Sequence, residues 1–363
     1  MPYNGELLRL ARQYRGFNQR DLARSLFVEP STVSRVENGI IESSQDFQRR
    51  AAEFLRFPPQ FFEQTDSVYG LPLSVHASMW RKKAAASQHD IDRALAELNI
   101  RMMHLRRLIH AVDYQPAFPL PQLDIETYKG DIETVAAAVR QTWLMPAGPI
   151  PNLTARIEMT GCFVIHANLG DAAIDGVTLR APGTPPCIFL NRDQPADRMR
   201  FSLAHELAHL VMHRVPTPHM EEEANAFAAA FLAPAKDIRP HFSRRRIDLP
   251  LLANLKPEWR MAMAALLFRA KQLHFVNDNQ ARYLWQQFNI HKIRLREPPE
   301  LDFPVEKPGL MPRLISLHLE QLGYSMAELE NLLSMYEDEI AEFHDLHGSS
   351  LPPGRPRLRL VSS

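Results

Sequence analysis

Two residues in 363 are cysteine, no run of about 18 apolar residues occurs anywhere, and the 42 basic and 42 acidic side chains cancel. Each absence excludes something. Cys162 and Cys187 are too few for a disulfide framework, and both lie in β-like runs, which reads as buried, reduced thiols. Without a long apolar run there is no membrane-spanning helix, and the opening MPYNGELLRLARQYRG lacks the apolar stretch of a signal peptide, so a cytoplasmic location is expected. Zero net charge excludes a wholly basic nucleic-acid coat and a wholly acidic chain; any nucleic-acid role must rest on a local patch. Internal repeats and low-complexity arrays are absent too. What is present is 45% hydrophobic and 23% charged residues, with apolar periodicity nearly end to end. That is the composition of a globular chain, long enough to divide into several domains.

Residues 1–57 read as short helices, with stripes at Leu7, Leu8 and Ala11, at Leu22, Ala23 and Leu26, at Val33 and Val36, and at Phe47, Ala51 and Phe54. Asn38-Gly39 closes the third, with Gly39 placed for the left-handed cap. Residues 58–124 form a connector around a polar-faced helix from about Asp90 to Val112. Over residues 1–112, 16 basic side chains face 12 acidic ones, the sign a DNA-facing module needs. Within the connector, Trp80-Arg81-Lys82-Lys83 reads as packed linker with solvated cations, the alternative being contact with DNA or a nucleotide. Residues 125–245 carry a helix, Ile132–Leu144, then three β-like runs, Cys162–Asn168, Val177–Arg180 and Cys187–Leu190. Pro195 suits the first turn of a long helix running to about His213. Arg214–Pro218 breaks it, and a second helix spans Met220–Leu232. Residues 246–348 are helical again, at Pro257–Leu273, Asp278–Phe288 and Ser325–Leu346, the last opened by a Ser325/Glu328 capping box. Residues 296–310 hold four prolines and read as loop, and 349–363 as a disordered tail. The fold expected is mainly α: an all-α head, a small α+β middle domain and a C-terminal helical region.

The sharpest pattern is His205-Glu206-Leu207-Ala208-His209. Four residues apart on a helix, the two imidazoles share a face, which suits Zn²⁺ bound at about 2.0–2.1 Å. Glu206, one residue round, cannot join them as a ligand but can take a proton from water activated there. Such a pentapeptide arises by chance in roughly a few per cent of chains of this composition, so context matters. Leu203, Ala204, Leu207, Leu210 and Val211 make this a buried helix, where unpaired histidines and a glutamate are costly. A third ligand is sought in Glu221-Glu222-Glu223-Ala224-Asn225. Three acids in a first turn also complement the helix dipole. Glu221 and Asn225, four apart, share a face, so Glu221 is taken as the ligand and Asn225 as the partner of a ligand histidine, with Glu222 and Glu223 as alternatives. His213 and His219 read as solvated or capping residues, with oxyanion or metal contact as the other reading.

Asn18–Leu26 and Pro30–Gly39 read as helix, tight turn, helix. The second helix turns Ser31, Thr32, Ser34 and Arg35 outward while Val33 and Val36 point inward, a surface suited to a major groove. Gln19, at the start of the first, is placed to anchor a phosphate. The rival reading is a helical bundle with ordinary polar faces.

These motifs resemble known families in two places. Through Gln19, Leu22-Ala23, Val28, Ser31–Arg35 and Glu37-Asn38-Gly39, residues 4–57 resemble the Cro/repressor-type (XRE) helix-turn-helix, although that family usually has glycine where Phe27 stands. Through Arg200–His213 and Glu221…Ala224–Ala228, ending Leu232-Ala233-Pro234, residues from about 125 to 240 resemble the ImmA/IrrE metallopeptidases, with alanines at 208 and 233 where Gly and Met are commoner. The resemblance implies a zincin-like metallopeptidase domain with ligands His205, His209 and Glu221, base Glu206 and Zn²⁺, or Mn²⁺, as cofactor. It implies a DNA-binding endopeptidase, HExxH…E and gluzincin-like, that cleaves a transcriptional repressor or itself in a stress, DNA-damage or mobile-element response. Operator-like double-stranded DNA, a repressor substrate and a second copy of the chain are the partners implied, and no membrane. The alternative is a transcription regulator whose metal site is structural or sensory.

Overall fold

The computed structural model describes residues 3–66, 68, 87–170, 174–346 and the backbone of a strand at 357–360. The Trp80–Lys83 cluster lies outside the described residues. Four helices open the chain: α1 Gly5–Tyr14, α2 Gln19–Leu26, α3 Pro30–Glu37 and α4 Gln45–Leu55. Asn18 caps α2 in a reciprocal box with Asp21, and Pro30 fits the first turn of α3. The apolar stripes meet in one core, Leu7, Leu22, Val33 and Ala51 being fully buried. A buried pair stiffens it: Arg12 donates to both oxygens of Glu37 at 2.6 and 3.0 Å. The turn between α2 and α3 places Phe27 at φ 55°, the left-handed conformation a glycine takes without strain. A short 3₁₀ turn, Pro59–Glu63, packs back on α1, where Asn4 N donates to the Phe62 carbonyl at 2.7 Å and Tyr3 stacks on Phe62.

Helix α5, Gln88–Ile109, is followed by strand β1, Val112–Gln115. Helices α6 Ile132–Thr142 and α7 Leu153–Glu158 lead into strands β2 Phe163–Ala167, β3 Gly176–Leu179 and β4 Cys187–Asn191. The sheet order is β2-β4-β3, with β2 parallel and β3 antiparallel to β4. Then come α8 Ala196–Met212, α9 Met220–Leu232 and α10 Ala235–Ser243. The helical remainder holds α11 Leu249–Trp259, α12 Met263–Gln272, α13 Asp278–Ile290, α14 Leu310–Glu320, α15 Met326–Leu333 and α16 Glu337–Phe343.

Three expectations change. The helix expected over Pro257–Leu273 is split, because Arg260 takes φ 50° and ends α11 just past Pro257. That expected over Ser325–Leu346 keeps its capping box but breaks at Ser334, which takes φ 54° and accepts Gln64 Nε2 on its buried hydroxyl at 2.9 Å. The tail expected to be disordered supplies strand β5, Arg357–Leu360, antiparallel to β1.

Two cores result, and the three-stranded sheet is the wall between them. Phe163, Ile165, Ala167, Cys187 and Phe189 face the core shared by α1–α5 and α14–α16. Val164, Ile188 and Leu190 face the core built from α6–α13. This is the two-period of a strand buried on both sides. Residues 246–348 are thus divided between the two cores.

Candidate metal centre

Helix α8 lies on the second face of the sheet through Leu203 and Leu207, both almost wholly buried. Its start is clamped. The buried Lys256 ammonium bonds Asp197 and, at 2.8 Å, Glu297, while the Arg200 guanidinium bonds Glu306 and the Ile150 carbonyl. Glu297 and Glu306 both come from the proline-rich 296–310 segment, which is therefore more than a surface loop. Helix α9 crosses α8 and brings its first turn over the two histidines.

His205 Nε2 and His209 Nε2 lie 3.0 Å apart, and the Glu221 carboxylate oxygens lie 3.4 Å from the first and 3.6 Å from the second. Among the described residues, His205, His209 and Glu221 form a group of potential ligand atoms all within 4.8 Å of one another. Tetrahedral bonds of about 2.0–2.1 Å require donor separations of about 3.4 Å, so this donor set fits a zinc-sized ion. Burial opposes a charge on His205, but its bond to Glu221 and the charges of Glu206 and Glu221 outweigh it, so its pKa is raised above the ordinary histidine value.

Around this trio sits a shell of hydrogen bonds. Asn225 Oδ1 meets His205 Nδ1 at 3.1 Å, the contact expected for it. His213 is buried, unlike a solvated histidine: its Nδ1 lies 2.8 Å from His209 Nδ1 and its Nε2 lies 3.0 Å from Glu223 Oε2. Glu222 and His219 stay at the surface, 3.8 Å apart. The three glutamates are thus distinguished by place: Glu221 at the histidine pair, Glu222 in solvent, Glu223 behind His213. Glu206 is buried, and Thr178 of β3 donates its hydroxyl to Glu206 Oε2 at 2.7 Å. A Cβ at Gly176 would stand 3.0 Å from Glu206 Cγ, so glycine there leaves room for the carboxylate. His213 continues the four-residue spacing of His205 and His209, and the structure sets it against His209 rather than in solvent. One contributor escaped the sequence. Thr178 comes from a strand with no local signal. Burial pushes the Cys162 and Cys187 thiols up, so neither is a thiolate donor.

In the head, Ser31 and Arg35 of α3 are exposed, and Thr32 and Ser34 are half-buried. Asn38 Nδ2 donates to the Ser34 carbonyl at 2.7 Å. Gln19 turns its amide inward and donates to Glu37 Oε2 at 2.8 Å. Among the described residues no helix is long and apolar enough to cross a membrane.

Two family models match parts of the chain. Residues 157–271 match the IrrE N-terminal-like domain of the M78 peptidases, and residues 5–64 match a helix-turn-helix domain. No curated protein matches the chain. One solved structure, Bacillus thuringiensis PlcR in complex with the peptide PapR7 and DNA, aligns over 95% of this chain and 97% of its own at 12% identity, with a TM-score of 0.17 that conveys no common arrangement. Residues 157–271 are thus similar to the IrrE N-terminal-like domain of the M78 peptidases, in one chain with an N-terminal segment that matches a helix-turn-helix domain.

Proposed function

We propose that this protein is a DNA-binding zinc endopeptidase that cleaves a transcriptional repressor, or its own chain, in a stress, DNA-damage or mobile-element response. The observation that carries the proteolytic part is the close approach of His205, His209 and Glu221, with Glu206 beside them. Zinc held by those three residues would act as a Lewis acid toward a peptide carbonyl and lower the pKa of water at its open position; Mn²⁺ is the other ion the donors suit. Glu206 would take the proton of the attacking water and hand it to the departing amine. Thr178 occupies one Glu206 oxygen and so fixes where the other points. Asn225 and His213 hold the outer nitrogens of the two ligand histidines, which leaves Nε2 of each for the ion.

The helix-turn-helix would bring this site to an operator-like sequence through Ser31, Thr32, Ser34 and Arg35, as a dimer on half-sites about one helical turn apart. Gln19, bonded to Glu37, would act by steadying α2 against α3. The domain limits we propose are residues 1–64 for the head, 125–245 extended by α11–α13 for the peptidase unit, and the remainder as the layer joining them.

The deciding experiment pairs the parent with Glu206→Gln. Both should hold zinc, while cleavage of a confirmed repressor substrate falls by about 10²–10⁴-fold in the variant. A variant that cuts as well as the parent removes Glu206 from the chemistry. Zinc bound by a parent that cuts neither its own chain nor a co-resident repressor leaves a regulator with a structural or sensory metal.

A further inference from the structure

We propose that a small solute bearing a phosphate or carboxylate group binds in the cavity where the helix-turn-helix, α5, the three-stranded sheet and α16 meet. The proposal is independent of the proteolytic reading. The cavity holds about 300 Å³ and is walled by Tyr14 and Arg15 of the head, Arg93 of α5, Asn168 and Arg192 of the sheet side, and Glu342 of α16, among others. That volume stands at the lower end of small-molecule sites, about 300–1,000 Å³.

Three arginines and three glutamates line it, and existing bonds decide which of them are available. Arg15 is engaged: it donates to the Leu55 and Arg56 carbonyls and to Glu339 at 2.7 Å. Glu97 is engaged too, accepting from Arg101 at 2.8 and 3.0 Å and from the Asn168 backbone N–H at 3.2 Å. Arg192 reaches Glu97 only at 3.8 Å, with 40% of its side chain exposed. Arg93, one turn before Glu97 on α5, is exposed and enters no hydrogen bond or ion pair among the described residues. Two guanidinium forks are therefore left lining the cavity, together with the carboxylate of Glu342. Their planar donors match the paired oxygens of a phosphate or carboxylate, and Glu342 can accept from an ammonium or hydroxyl elsewhere on the same molecule.

The topology points to the same place independently. Strands β2 and β4 are parallel, and Asn168 and Arg192 directly follow their last residues, Ala167 and Asn191. Ligands of parallel sheets are held beyond the carboxyl ends of the strands. The rim is braced there: Gly170 takes φ 82°, its N–H donates to Asn168 Oδ1 at 3.1 Å, and its carbonyl accepts from Asn191 Nδ2 at 3.1 Å. A solute held by Arg93 and Arg192 would bond α5 and the sheet at once, against the floor of the head formed by Tyr14 and Arg15.

The test is calorimetric titration of the full chain with inorganic phosphate and, separately, with citrate, each against sodium chloride at matched ionic strength. Saturable binding of at least one is expected, weakened at least about tenfold by Arg192→Ala and by Arg93→Ala, since bonds to charged groups are among the strong ones. Arg192→Lys, which keeps the charge and loses the fork, should weaken it as well and guards against a misfolded alanine variant. Glu221→Ala should bind as the parent does, which separates this cavity from an anion held at the metal. Absence of saturable binding by both probes, or arginine variants that bind like the parent, overturns the proposal.

Discussion

Removing the His213 side chain should weaken metal binding without touching a metal ligand. For Nε2 of His209 to face the ion, its proton must sit on Nδ1, and His213 Nδ1 lies 2.8 Å away, in place to accept it. His213 then carries its own proton on Nε2 and donates it to Glu223 at 3.0 Å. One arrangement of two protons satisfies the whole chain. In His213→Ala the His209 N–H is left in a buried pocket without its acceptor, a loss of about 1–3 kcal/mol. Outer partners of metal-bound histidines are worth about 10–100-fold in affinity, which is roughly 1.4–2.7 kcal/mol. The two figures agree, so a zinc dissociation constant raised by about 10–100-fold is expected. Glu223→Gln keeps an oxygen acceptor for His213 and should cost less; His219→Ala, 75% exposed at its side chain, should cost nothing. Competition of the full chain with a chromophoric chelator measures all three. Parent-like zinc affinity in a folded His213→Ala protein would refute the reasoning.

Four further outcomes follow from named contacts. Thr178→Val takes the hydroxyl from Glu206 and should lower turnover by about 10–100-fold while leaving zinc bound; unchanged turnover would show that the carboxylate is oriented otherwise. Arg35→Ala should weaken binding to a specific operator by about 1–3 kcal/mol, read by gel shift, and an equal loss on random DNA would reduce Arg35 to a phosphate contact. Phe27→Gly should raise stability to urea by about 0.5–1 kcal/mol, because Phe27 is 84% exposed and pays for a left-handed φ that glycine adopts freely. Burial raises the Glu158 carboxyl from 4.5 to about 7, against the pull of the Leu310, Gly309 and Val164 N–H groups. The folded state therefore holds that proton more tightly than the unfolded chain, so the Glu158 contribution is fullest below about 4.5 and is lost as pH rises to 7. Relative to the parent, Glu158→Gln should gain up to about 3 kcal/mol between pH 4.5 and 8 in denaturant melts, and a pH-independent difference would contradict the raised value.

What could be read in advance followed from local periodicity. The four-residue spacings of His205, His209 and of Glu221, Asn225 are properties of single helices, so the sequence alone places each pair on one face; the pairing with Asn225 also singles out Glu221, whereas the crossing of α9 over α8 that brings Glu221 to the histidines is tertiary packing that no single-helix spacing contains. The same logic placed Val33 and Val36 inward on α3. It failed where a residue takes a left-handed turn without being glycine: Arg260 and Ser334 break helices that apolar spacing runs straight through. It was blind to contacts made at a distance in the chain. Thr178 on Glu206, Glu306 on Arg200 and Gln19 on Glu37 depend on how elements pack, and no window of residues contains both partners.

Strand β4 shows what that packing implies for anyone recombining such chains. Neighbouring residues in it answer to different halves of the molecule: Cys187 and Phe189 fill one core, Ile188 and Leu190 the other. A graft that exchanged residues 1–109 for the corresponding piece of another protein would sever no bond near His205. It would nevertheless present foreign side chains to Cys187 and Phe189, and the misfit would be felt one residue away by the strand on which the helix of His205 and His209 rests. A transplanted head must therefore bring the odd-numbered positions of β2 and β4 with it, and leave the even-numbered ones behind.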